Sequence, residues 1–174
     1  MKTKTEKILG VMNVLAWIAF IGLCIQAGGV LVSWGISLWN PAASAHLYPR
    51  QDLSRLRQVS LAHYSTALLL MAAVSAVEAY TAYLVIKVLS KIKLSSPFTM
   101  EIARSLERIS YWILGTWVLA MIKNVHAEWV QDQVPGLNLP LISGDFIVMA
   151  GVVFVTAQIF KKGVEIQTEN ELTV

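Results

Sequence analysis

The chain has 174 residues, of which 56% are hydrophobic and 14% charged, with mean hydropathy +0.59 and net charge +3. Soluble domains average about 25% charged residues, so a surface mostly in contact with water is excluded. The basic excess does not mark nucleic-acid binding. Lys2, Lys4, Lys7, Lys87, Lys91, Lys93, Arg104, Arg108, Lys161 and Lys162 flank apolar runs on one predicted side, which is the positive-inside bias of a membrane protein. No basic motif with interleaved aromatics stands outside those runs.

No Asp, Glu, Lys or Arg occurs between Lys7 and Arg50. A bilayer core of ~30 Å needs ~20 mainly apolar residues in a helix, so residues 8–33 predict a first span. The run is longer than the ~7–15 residues of a secretory h-region. It therefore reads as an uncleaved signal anchor, although Ala43-Ser44-Ala45 has a cleavage-like pattern. Trp34, Trp39 and Tyr48 suit an interfacial belt. Cys24 is the single cysteine, so no intrachain disulfide can form; inside an apolar run it reads as a packing residue. The following stretch carries His46, Arg50, Asp52, Arg55 and Arg57 and reads as a solvated outer loop. A short surface helix over Arg50 to Arg57 and a contact with anionic headgroups are its sharper readings.

A second span is predicted at 60–88. Its centre is rich in small residues, which let neighbouring helices approach closely. Met71, Ser75, Glu78 and Ala82 fall on one helical face at 4-3-4 spacing, so Glu78 is expected to face other helices and not lipid. Residues 89–108 form a basic cytoplasmic loop. Within it, Ser96-Pro97-Phe98-Thr99 offers a Ser or Thr cap and a Pro where a helix would restart. The third span is predicted at 109–127, followed by an outer loop in which Pro135-Gly136 and Pro140 break helix. The fourth is predicted at 141–160, with Asp145 in its first turn, where a carboxylate complements the helix dipole. The tail, 161–174, stays in the cytoplasm. The expected fold is thus an all-α, polytopic four-transmembrane-helix bundle with both termini cytoplasmic, in the cytoplasmic membrane of a bacterium.

Two cytoplasmic stretches carry a family resemblance. The ending QIFKKGVEIQTENELTV, from Gln158 to Val174, closely resembles that of a bacterial membrane-protein family catalogued as domain of unknown function 2975. Pro97-Phe98-Thr99 and its continuation at Arg104 to Arg108 are similar to the same family, and the likeness extends over the chain. The resemblance implies four transmembrane helices and no established activity. It also implies a genetic neighbour, a small helix-turn-helix regulator, and hence a membrane partner that binds or releases a cytoplasmic repressor.

Three constellations are candidates for function. The first is an intramembrane polar layer. A charged side chain at a helix centre costs ~2.5–3.5 kcal/mol on insertion scales, so Glu78 requires a partner. It lies ~13 Å above Lys87, a depth also within reach of Thr116 and Gln158. The layer suits either a protonated Glu bonded between helices or a protonatable switch. A small transporter or channel subunit using Glu78 and Lys123 is the alternative function. Lys123 itself is expected to snorkel, its stem buried and its ammonium among headgroups.

The second is an outer-face cluster of His63, His126 and Asp145. Such residues can hold a divalent metal or, as paired His, haem, which would make a membrane redox protein. No ligand motif supports this, and no cofactor or metal is expected. The third is a cytoplasmic partner surface of Pro97, Phe98, Thr99, Glu169 and Leu172, where the acidic tail docks on the basic loop or on another protein. No nucleophile elbow, phosphate-binding loop or intramembrane protease motif occurs, so no enzyme is expected. The leading expectation is a regulatory or sensory membrane protein. Its partners would be the lipid bilayer, a helix-turn-helix regulator and a further copy of the chain, with no direct nucleic-acid contact.

Overall fold

A computed structural model describes residues 4–46, 53–92 and 98–172. Among them all regular structure is helical: α1 (Lys4–Trp39), a 3-10 turn (Pro41–His46), α2 (Ser54–Val59), α3 (Leu61–Lys91), α4 (Met100–Gln133) and α5 (Phe146–Leu172). Three of these helices, α1, α3 and α5, are long and apolar enough to cross a membrane. α4 is not among them, because charged and amide residues occupy both of its ends.

Local chemistry explains where the helices start and stop. α1 ends where Pro41, which cannot continue a helix, follows Asn40. The Asn40 side chain accepts a hydrogen bond from the Ala42 N–H at 3.1 Å and so opens the 3-10 turn. Ser60 breaks α2 from α3 by taking an extended conformation. Its hydroxyl then accepts the His63 N–H at 3.3 Å, capping α3. Thr99 does the same for α4, accepting the Ile102 N–H at 3.3 Å, while Pro97 lies outside the described residues. α4 stops ahead of Pro135-Gly136, where Gly136 has φ +81°, a backbone conformation that favours glycine.

Three of these stretches gain detail from the described residues. The part of the expected outer loop directly ahead of α3 is not a solvated loop, since Leu53 and Leu56 are each only 1% exposed and Leu53 leads directly into α2; Arg50 and Asp52 lie outside the described residues. α4 begins at Met100, so the later part of the 89–108 connection is helical. The tail is helical, because α5 runs without a break beyond Lys161 and Lys162 to Leu172.

The chain packs as two compact units, and α1, α3 and α4 each contribute to both. One unit comprises the chain up to Phe20, Tyr80–Gly115 and the chain from Asp145 onward. Its core is Leu84, Val88, Ile102, Ile109, Ile113 and Ala150, with Phe146 and Phe160 packed against them. The Tyr80–Trp112 and Tyr111–Phe154 ring pairs, at 4.7 and 6.2 Å, join its helices.

The other unit comprises Ile21–Ala79 and Thr116–Gly144. Its core joins Val30 of α1, Leu53 and Leu56, Tyr64, Ala67, Leu68 and Ala72 of α3, and Ala127, Val130, Val134 and Leu139. Buried hydroxyls hold α1 to α3: Tyr64 donates to Ser37 Oγ at 2.6 Å, and Ser37 donates to the Trp34 carbonyl at 2.7 Å. Trp34 Nε1 donates to Ser65 at 3.1 Å.

Candidate functional site

The second unit contains a cavity of about 190 Å³ lined by Gln26, Met71, Val74, Ser75, Glu78, Lys123, Pro140 and Ile142. Met71, Ser75 and Glu78 reach it together because 4-3 spacing stacks them on one face of α3. Lys123 arrives from α4, and Pro140 and Ile142 from the segment after it. That segment is folded back along α4 by a reciprocal pair of bonds. Asn124 Nδ2 donates to the Ile142 carbonyl at 2.8 Å, and the Ile142 N–H donates to Asn124 Oδ1 at 2.9 Å. Gln131 adds a third tie by accepting the Leu139 N–H at 3.0 Å.

Lys123 does not snorkel. It is only 5% exposed, and its ammonium donates to the Pro140 carbonyl. A proline carbonyl suits this role, since the return of the segment leaves it without a helical donor. Glu78 is half-buried and lines the same cavity from α3. Among the described residues it makes no ion pair with Lys123. The cavity therefore combines a carboxyl, an ammonium, an amide and a hydroxyl within a partly apolar wall.

The other residues named from the sequence fall as follows. Thr116 is buried in the same unit as Glu78 but does not line the cavity. Gln158 belongs to the first unit, where its amide lies 3.5 Å from Glu107 Oε1 and Lys161 binds both Glu107 oxygens at 2.8 and 2.9 Å. The hydrogen bond from Lys161 holds the Glu107 carboxyl below its ordinary range.

His63 and His126 do meet, with ring centroids 5.7 Å apart, and His63 packs against Trp129 with centroids 4.6 Å apart and the rings tilted by 46°. These rings line an apolar groove of about 600 Å³ together with Met121, Ile122 and Val125. Asp145 falls in the other unit, at the start of α5, where its carbonyl accepts the Met149 N–H. Among the described residues no three His, Cys, Asp or Glu side chains are placed to share a metal ion.

On the predicted cytoplasmic side, Phe98 packs on Phe160 with centroids 5.1 Å apart and also lies against Gly163, where an added Cβ would meet Phe98 Cδ1 at 3.0 Å. Lys91 and Glu101 form an ion pair between the end of α3 and the start of α4, and the Lys91 hydrogen bond lowers the Glu101 carboxyl. Glu169 lies on the exposed last turns of α5, and Leu172 is its final residue. Between α5 and α4, the Lys161 ammonium pairs with the Glu107 carboxylate.

Sequence reasoning missed Asn124 and Pro140. Asn124 sits in a helix-compatible position, and nothing local signals its partner 18 residues away. Comparison with curated proteins and with solved structures gives no match. A family model described as a protein of unknown function, DUF2975, matches residues 39–174, leaving most of α1 outside the match. The chain belongs to that family of proteins of unknown function.

Proposed function

We propose that this is a regulatory or sensory protein of the bacterial cytoplasmic membrane, with four transmembrane helices and the segments before α1 and after α5 on the cytoplasmic side. Length and charge decide whether α4 can span. Only 109–122 lie between Arg108 and Lys123, ~21 Å of helix, short of a ~30 Å core. With the Lys123 ammonium bonded to the Pro140 carbonyl, the usable stretch extends to about residue 127, or ~28 Å.

The observation that carries the regulatory reading is the projection of α5 past its apolar stretch. Phe98 on Phe160 and Glu107 on Lys161 brace its base, and beyond Lys162 the helix presents Glu165, Ile166 and Glu169 to solvent. A half-exposed Ile166 between carboxylates suits docking onto a small basic partner, such as the helix-turn-helix regulator implied by the family resemblance. Co-purification of the full chain with that regulator tests this. Truncation after Lys162 should preserve membrane insertion and abolish co-elution; unchanged co-elution would refute the docking role of α5.

The cavity of Glu78 and Lys123 favours a second reading, a small transporter or channel subunit. Its measure is pH-dependent flux in liposomes, which Glu78→Gln should suppress. Flux indifferent to that change would eliminate the reading.

A further inference from the structure

The geometry points to the Glu78–Lys123 cavity as a binding site for a small zwitterion, with the ligand's ammonium on Glu78 and its carboxylate on Lys123. This deepens the sensory reading by naming the chemical class of the signal, and it rests on that reading for its role in the cell.

Opposite charges brought into a low-dielectric site ordinarily pair, because their attraction offsets the loss of hydration. Here Glu78 and Lys123 line the same cavity, yet among the described residues no ion pair or hydrogen bond joins them. The Pro140 carbonyl holds the ammonium instead, and that carbonyl is fixed by the Asn124 bracket on Ile142. An ammonium has three donors, so one bond to Pro140 leaves two for a ligand. Glu78 lines the same cavity, and among the described residues no hydrogen bond or ion pair occupies its carboxyl.

Overall neutrality then selects the ligand. A carboxylate and an ammonium in one wall sum to zero. An anion alone would satisfy Lys123 while leaving Glu78 desolvated beside a like charge; a cation alone would do the reverse. Only a solute carrying both groups offers a partner to each. The Gln26 amide and Ser75 hydroxyl supply further polar contacts, and Met71, Val74 and Ile142 supply the apolar wall.

Size narrows the class further. A volume of about 190 Å³ corresponds to on the order of six waters, at roughly 30 Å³ each, and hence to a solute of about six to eight non-hydrogen atoms. Short amino acids, ω-amino acids and methylated glycine fall in this range. Drug-sized ligands, which need pockets above about 300 Å³, do not.

The experiment is calorimetric titration of the purified full chain in lipid nanodiscs with glycine, β-alanine, γ-aminobutyrate and glycine betaine, and with acetate and methylammonium as single-charge controls. Saturable binding of at least one zwitterion, about tenfold or more tighter than both controls, is expected. Glu78→Gln, which preserves shape, should weaken that binding at least about tenfold, and Lys123→Met, which keeps the stem and removes the ammonium, should do the same. The proposal is overturned if no zwitterion binds, if acetate or methylammonium binds as tightly, or if Glu78→Gln leaves affinity unchanged in protein with wild-type thermal stability. Loss of zwitterion binding would leave co-purification with the regulator untouched, so the two ideas fail separately.

Discussion

Tyr64 and Ser37 show how single hydroxyls hold helices together where surrounding apolar groups distinguish poorly between neighbours. In lipid there is little hydrophobic force between helices, so packing and interhelical hydrogen bonds carry the specificity. Both side chains are fully buried, and the serine passes the interaction on to the Trp34 carbonyl. Tyr64→Phe keeps the ring and removes the donor, leaving Ser37 with an unused acceptor. We expect a loss of about 1 kcal/mol in unfolding free energy, read from denaturant titration in detergent. A change near zero would mean that the hydroxyl pair does not hold α1 to α3.

Lys123 is the residue whose environment sequence conveys least. A lysine near the end of an apolar run ordinarily extends to the headgroups. Its burial depends on the carbonyl of Pro140, 17 residues on, and that contact leaves no periodic trace. Glu78 is the opposite case. Its position on the Met71–Ser75 face follows from helical spacing alone, and that face does line the cavity.

At the scale of elements, α4 and α5 extend beyond their apolar segments. The apolar runs were readable from hydropathy, because the absence of charge over ~20 residues is a strong signal. The continuation of α4 to Gln133 was not, since Glu128 and Asp132 look like loop residues until Ala127, Val130 and Val134 are seen packing into the core. For α2 the arginines dominated the reading, while Leu53 and Leu56 decide its placement.

The base of the α5 projection depends on the Lys161–Glu107 pair. A carboxyl whose value is lowered on folding contributes stability that is fully present above its ordinary value of about 4.5 and is lost as pH falls through the lowered one. The thermal midpoint of the wild-type protein should therefore fall between pH 7 and pH 3 more than that of Glu107→Gln. Equal falls in the two proteins would remove this pair from the account.

At the scale of the whole molecule, each unit has its own apolar core, and three long helices serve both. Partition of this kind was not legible in the sequence. The helices are continuous, and the division lies in which residues touch, not in any break of composition. Family membership was legible from the end of the chain, where the run from Gln158 onward is unusual enough to be specific.

The central claim is that α4 crosses the membrane in addition to the three helices that are long and apolar enough by themselves. Four crossings put the segments before α1 and after α5 on one side; three crossings by α1, α3 and α5 put them on opposite sides. In a Cys24→Ser background, single cysteines at Thr5, Asp132 and Thr168, all exposed, can be labelled in intact cells with a membrane-impermeant maleimide. Labelling at position 132 with protection at 5 and 168 until the cells are opened is the predicted result. Labelling at position 168 in intact cells with protection at 5 would contradict it.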